Sequence, residues 1–207
     1  MESKDGKDYF HNYDFIVKWL ADALVGRTLD VLGLQSAPIE DVFAFEIADI
    51  NVRTGRVDVM VRDRAGALFH IEEQRNLQRR DLYRFAGYHF LGAKSWGSNV
   101  TDVILASGDV DPDVRVIETP SGTYRPTVVD FSQRKGKERL EQIRAQIMAG
   151  TFENWLELVV LPLYGKKKGA ERSMFAEEVV RFQMELCRAE KISSRLPAAT
   201  LILSNKM

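Results

Sequence analysis

One cysteine, Cys187, in 207 residues can form neither an internal disulfide nor a thiolate metal cage, so the chain is expected in a reducing cytoplasm. No apolar run approaches the roughly 18 to 20 residues that cross a bilayer. The opening MESKDGKDYF is polar and mixed in charge, without the basic stub and apolar stretch of a signal peptide, so neither secretion nor membrane insertion is expected. Neither sign of charge dominates: 29 Lys and Arg stand against 30 Asp and Glu, which argues against coating nucleic acid by bulk electrostatics and leaves only a localised site for that chemistry. Fixed-period repeats, low-complexity segments and a Pro/Gly/Ser-rich linker are also lacking. What is present is 45% hydrophobic residues, enough for a core in one domain.

The periodicity changes along that domain. Tyr13, Ile16, Val17, Leu20, Leu24 and Val31 keep helical spacing from Asn12 to about Leu32, with Gly33 as a stop. From Val42 to Gln74 β-branched and aromatic residues dominate, and Thr54-Gly55 and Arg64-Ala65-Gly66 are turn candidates. The stretch therefore reads as three antiparallel strands joined by hairpins. Leu77 to about Lys94 returns to helical spacing. Val100 to Ser107 has the pattern of a strand buried on both faces, reached by a crossover long enough for parallel pairing. Tyr124 to Phe131 reads as an edge strand. Three further helices follow, marked by Leu140, Ile143 and Ile147, by Phe152, Trp155, Leu156 and Val159, and by Phe175, Val179, Phe182 and Leu186. The expected class is α/β, in the order α-β-β-β-α-β and then mostly α, with residues 1–135 as the core and 136–207 as a helical extension packed on the same domain.

In RVDVMV (Arg56 to Val61) alternation sets Val57, Val59 and Val61 on one face and Asp58 on the other. In LFHIEEQ (Leu68 to Gln74), Phe69 and Ile71 share a face, and Leu68, His70, Glu72 and Gln74 share the opposite one. A hairpin turning about Ala65 pairs Val61 with Phe69 and Val59 with Ile71, and so sets Asp58 against Glu72. Directly opposed like charges destabilise a sheet. The pair becomes sensible if a hard divalent cation sits between the carboxylates, because such ions prefer oxygen ligands. The plainer reading is two solvated charges on the exposed face of a hairpin. Glu73 points to the other face and has no assigned role, and His70 reads as a packed or surface histidine.

On the next helix Arg84 and Tyr88 are four residues apart and share a stripe, with Asp81 a turn before; a guanidinium and a phenol there could hold a phosphate. Arg75, Arg79, Arg80 and Arg84 make a local positive patch that the near-zero net charge conceals.

Asp58, thirteen intervening residues, Glu72-x-Gln74, and then Arg84-x-x-x-Tyr88 on the following helix together resemble the PD-(D/E)XK nuclease superfamily. The likeness is to the recombination-promoting nuclease or PD-(D/E)XK family transposase branch, where the last motif residue is commonly Gln rather than Lys. Asp14-Phe15-Ile16-Val17-Lys18-Trp19-Leu20 is similar to the D-x-x-F-K-x-L signature that opens that branch, and LVVLPLYG (Leu158 to Gly165) is reminiscent of it. The resemblance covers roughly residues 10 to 130. It implies a restriction-endonuclease-like αβββαβ core with a mixed sheet, and a metal-dependent DNA endonuclease tied to recombination or transposition.

On the same basis Asp58 and Glu72 are implied as ligands of Mg2+ or Mn2+, completed by Asp14, with Asp22 and Glu46 as alternative third acids. Gln74 is implied to stand where the superfamily usually has lysine. Glutamine orients water but supplies neither charge nor a base. Arg79, Arg80, Arg84 and Tyr88 are implied to hold the DNA backbone. The rival expectation is a nuclease-fold relative that has lost catalysis and serves as a DNA-binding or protein-interaction module; a third is a transposase-associated accessory protein. Lys166-Lys167-Lys168 reads as a solvated loop that could touch DNA, and the apolar segment from Ala198 to Met207 is suited to pairing with a second subunit as a homodimer.

Overall fold

The computed structural model describes residues 23–47, 55–97, 99–166 and 168–205, with positions 44–47 and 55–58 described by backbone alone. Asp14 and Asp22 lie outside the described residues, as do the side chains of Asp58 and Glu46.

A five-stranded mixed sheet runs in the order β1-β2-β3-β4-β7. Strands β1 (Ile39–Ile47), β2 (Gly55–Asp63) and β3 (Leu68–Arg75) form an antiparallel meander. Helix α1 (Arg79–Trp96) then crosses over to β4 (Val100–Ser107), which lies parallel to β3. A small hairpin of β5 (Ile117–Thr119) and β6 (Gly122–Tyr124) precedes β7 (Thr127–Asp130), parallel to β4 at the sheet edge. Helices α2 (Gly136–Met148), α3 (Leu156–Val160), α4 (Gly169–Arg188) and α5 (Arg195–Asn205) complete the chain. Among the described residues no helix is long and apolar enough to cross a membrane.

Two apolar layers sandwich the sheet, as expected for a central strand with crossovers on both sides. Val59, Val61, Phe69, Ile71, Val103 and Leu105 pack against Leu140, Ile143, Leu158, Phe175 and Val179 of the C-terminal helices. On the opposite face Ile104 and Ala106 meet Leu82 and Phe85 of α1, and Met60 meets Leu91 and Trp96. One core therefore draws on strands before residue 135 and helices after it.

The β2–β3 hairpin has the register expected from its sequence, with Val59 opposite Ile71 and Val61 opposite Phe69. A buried carboxylate in the turn fixes it. Asp63 Oδ1 accepts the amides of Ala65 and Ala67 at 3.0 and 2.9 Å, and its Oδ2 accepts the Ala37 amide at 3.0 Å. Gly66 supplies the left-handed residue at φ 85° that closes the turn. Against β1, however, β2 carries an extra residue, because Phe43 pairs with Met60 but Phe45 with Val57. That bulge falls at Asp58 and Val59, so strict alternation through RVDVMV is interrupted beside the candidate acid; bulges commonly re-aim side chains next to active sites.

Two sequence expectations are corrected. The first helix does not extend to Leu32: Val25 bridges to Ile39, Gly26 turns the chain at φ 78°, and only a short 3-10 turn spans Asp30–Leu32, capped by Gly33. Residues 124–131 are not one strand, because Pro126 lacks the amide that a continuous ladder would use, and Tyr124 pairs with Ile117 instead. The segment from Ala198 is a helix that buries Leu196, Ala199 and Thr200 within this chain, and Gln183 of α4 donates to the Thr200 hydroxyl at 2.9 Å. Leu201 of the same helix is exposed.

Candidate active site

The candidate site lies where β3 leaves the meander and α1 begins. Asn76 adopts the left-handed region at φ 52°, which asparagine tolerates, and turns the chain from strand to helix. Gln78 caps α1 with Asp81 as its reciprocal partner, the Gln78 amide donating to Asp81 Oδ2 at 2.9 Å. Asp81 is therefore committed to the helix start. This geometry brings Arg84 over the end of β3, where its Nη2 donates to Gln74 Oε1 at 2.6 Å while Gln74 Nε2 donates to the Arg75 carbonyl at 2.8 Å. Arg84 also lies over the Phe85 ring at 4.7 Å. Tyr88, one turn on, is half-buried between the Met60 and Phe85 clusters. Arg79 and Arg80 are exposed at the helix start and line an open groove with Leu77, Val110, Asp111 and Lys166.

Glu72 follows Ile71 and Asp58 precedes Val59, so the two acids adjoin the last regular pair of the β2–β3 ladder. Glu72 is buried, and so is His70 beside it on the same face. His70 bridges two carboxylates: Nε2 donates to Glu72 Oε1 at 3.0 Å and Nδ1 donates to Asp102 Oδ1 at 2.9 Å. Asp102 comes opposite His70 through the parallel β3–β4 register, and its second oxygen lies 2.7 Å from His89 Nδ1 on α1. Burial alone would depress the imidazolium, but the hydrogen bonds and charges of Asp102 and Glu72 outweigh it and raise His70 to about 9. Both ring nitrogens therefore act as donors at neutral pH. Burial and the charge of Asp102 push the Tyr124 phenol above its ordinary value, keeping it neutral. Glu73 faces the other side, where it accepts from the Ser107 hydroxyl at 3.2 Å.

Sequence reasoning thus placed Glu72, Gln74 and Arg84 in one neighbourhood and missed the polar group beneath them. Asp102 was the missed signal: a charged residue inside the apolar run VTDVILAS must have a buried partner, because an unpaired carboxylate there is too costly. Among the described residues no group of three or more His, Cys, Asp or Glu side chains is disposed to hold a metal ion. Glu72 is the one implied ligand whose side chain is described, a hard oxygen donor held in orientation by a histidine. Carboxylate ligands are commonly held this way by a neighbouring hydrogen bond, so the donor chemistry fits a divalent cation. In the lysine run Lys166 and Lys168 are exposed, as expected, and Lys168 pairs with Asp109 at 2.6 Å, a hydrogen bond and charge that hold that exposed carboxyl below the usual range.

No protein-family model, curated protein or solved structure matches this chain.

Proposed function

We propose that the chain is a metal-dependent DNA endonuclease on a PD-(D/E)XK-type core. The observation that carries the reading is the β2–β3 register, in which Asp58 and Glu72 adjoin the same end of one regular pair, Val59 and Ile71, with Gln74 two residues beyond. A mixed α/β sheet with an antiparallel meander, a helical crossover and a parallel fourth strand supports it. Asp58 and Glu72, with Asp14 as the third acid, would hold Mg2+ or Mn2+, which when bound lowers the pKa of a water and offsets charge on the scissile phosphate. His70 fixes the Glu72 carboxylate, so that ligand needs no reorganisation. Gln74 engages Arg84, and this guanidinium supplies beside the site the positive charge that glutamine lacks. Arg79, Arg80 and Tyr88 bind and orient the backbone.

Manganese binding only to the folded state must raise the melting temperature. A concentration near a hundred times Kd contributes about 2.7 kcal/mol, which is roughly 5 to 10 °C for a chain of this size. Supercoiled plasmid should be nicked with Mg2+ or Mn2+ and left intact with a chelator. No thermal response and no nicking would replace the proposal with the inactive binding module.

The Gln74–Arg84 contact carries a second prediction. Gln74→Lys, although it restores the residue usual in the superfamily, sets an ammonium against the Arg84 guanidinium and deletes a charge-assisted hydrogen bond worth about 1.5 to 3 kcal/mol. Nicking should fall about tenfold or more. A rise would mean that Arg84 does not stand in for the lysine.

A further inference from the structure

The solvent side of α1 carries two exposed rings that the catalytic reading does not use. With about 100° between successive residues, Leu82, Phe85 and Gly92 face the sheet and are buried, whereas Tyr83, Gly87, Phe90 and Lys94 line the opposite side. Large aromatic residues on the buried face would need no comment, but Tyr83 is 56% and Phe90 64% exposed. Their wetted ring area is unfavourable unless something covers it. Between them Gly87 leaves open space, since a Cβ built there meets nothing within 4 Å. Around the rings stand Arg79, Arg80, Arg84 and Lys94, all exposed, against one carboxylate on the helix, Asp81, which caps its start. A chain of net charge −1 thus gathers four cations and two exposed rings on one helix, with Phe90 meeting the neighbouring His89 ring edge-on at 5.1 Å.

We infer that this face binds a single-stranded segment of DNA, with Tyr83 and Phe90 as stacking platforms for unpaired bases and the flanking cations along the phosphates. This reading rests on the nuclease proposal for its substrate and adds the form in which that substrate is held. The charge pattern selects a polyanion, and interleaved rings select one that can offer base faces. In a duplex those faces are covered by their neighbours, so the same helix laid on double-stranded DNA would meet phosphates and leave both rings wet. Seven residues of helix separate the rings by about 10 Å along the axis. That distance suits a strand whose bases are splayed apart rather than stacked on one another. Stacking on aromatic side chains is tolerant of sequence. The strand leads toward the candidate active site through Arg84, whose guanidinium also holds Gln74.

The test is binding by fluorescence anisotropy, with the full chain in chelator so that no cleavage contributes. The probes are a labelled oligothymidine and a hairpin duplex of equal length. The single strand should bind more tightly, and Tyr83→Ala and Phe90→Ala should each weaken it about tenfold or more, the effect of losing about 1.4 kcal/mol of stacking. Tyr83→Phe and Phe90→Trp, which keep a ring, should retain binding, and the duplex affinity should change little in all four. Because both positions are exposed, melting temperatures should stay at the wild-type value. Equal affinity for the two probes, or indifference of single-strand binding to the alanine changes, overturns the inference. Sedimentation that shows a wild-type dimer broken by Tyr83→Ala with unaltered DNA binding overturns it in favour of self-association. Asp58→Asn carried through the same titration separates the two readings: failure of catalysis leaves this binding intact, and loss of this binding leaves the divalent thermal shift intact.

Discussion

Asp58→Asn is expected to abolish magnesium-dependent nicking of plasmid DNA, by about a thousandfold or more, because a neutral amide replaces a charged hard ligand whose ion contributes several kcal/mol to the transition state. The same substitution should leave the metal-free protein as stable as the wild type or slightly more so. Asp58 adjoins the same regular pair as Glu72, and removing one of two neighbouring negative charges relieves repulsion. The two readouts together identify an acid retained for function, since an acid retained for structure would lower stability when neutralised. Gel-resolved nicking and thermal melting in chelator measure them. If Asp58→Asn melts the fold and the wild type shows no divalent-dependent nicking, the acid is structural and the endonuclease reading is lost.

The second large effect belongs to His70. His70→Ala should destabilise the metal-free protein by about 3 to 5 kcal/mol, because it removes from Glu72 and Asp102, both buried, the cation they share. That corresponds to a fall in melting temperature of roughly 6 to 20 °C. The pH dependence has a defined sign. The folded-state pKa is raised from 6.5 to about 9, so the contribution is complete below about 6.5 and is lost as pH rises through about 9. Over that window the wild type should lose on the order of 3 kcal/mol. His70→Gln, which has no proton to lose there, should be nearly flat. Denaturant melts of both chains in chelator at the two ends of the window measure the difference. Equal slopes would show that His70 is neutral in the folded state and that the carboxylates find another partner.

Much of the meander was legible because its determinants are local. A turn with Gly66 and a carboxylate at Asp63, flanked by runs of β-branched residues, sets a register that period-2 alternation then extends to Val59 and Ile71. The crossover to a parallel β4 was legible for the same reason, since a helical segment between two strands leaves few alternatives. The end of the first helix was not: Leu24 and Val31 keep helical spacing, but a backbone bond from Gly26 to Ile39 draws the chain into a turn between them. The bulge at Asp58 was invisible because it depends on how β1 pairs with β2.

At the candidate site the division is sharper. The sequence by itself determined which residues share a strand face or a helix stripe, and so grouped Glu72 with Gln74 and Arg84 with Tyr88, because those relations repeat within a few residues. Only the tertiary structure decided the fate of His70. Its partner Asp102 is 32 residues away and meets it through the pairing of β3 with β4, and His89 joins them from a helix laid across both strands. A side chain's burial and its pKa follow from what the whole fold packs around it, so a histidine that reads locally as filler becomes a buried cation between two acids.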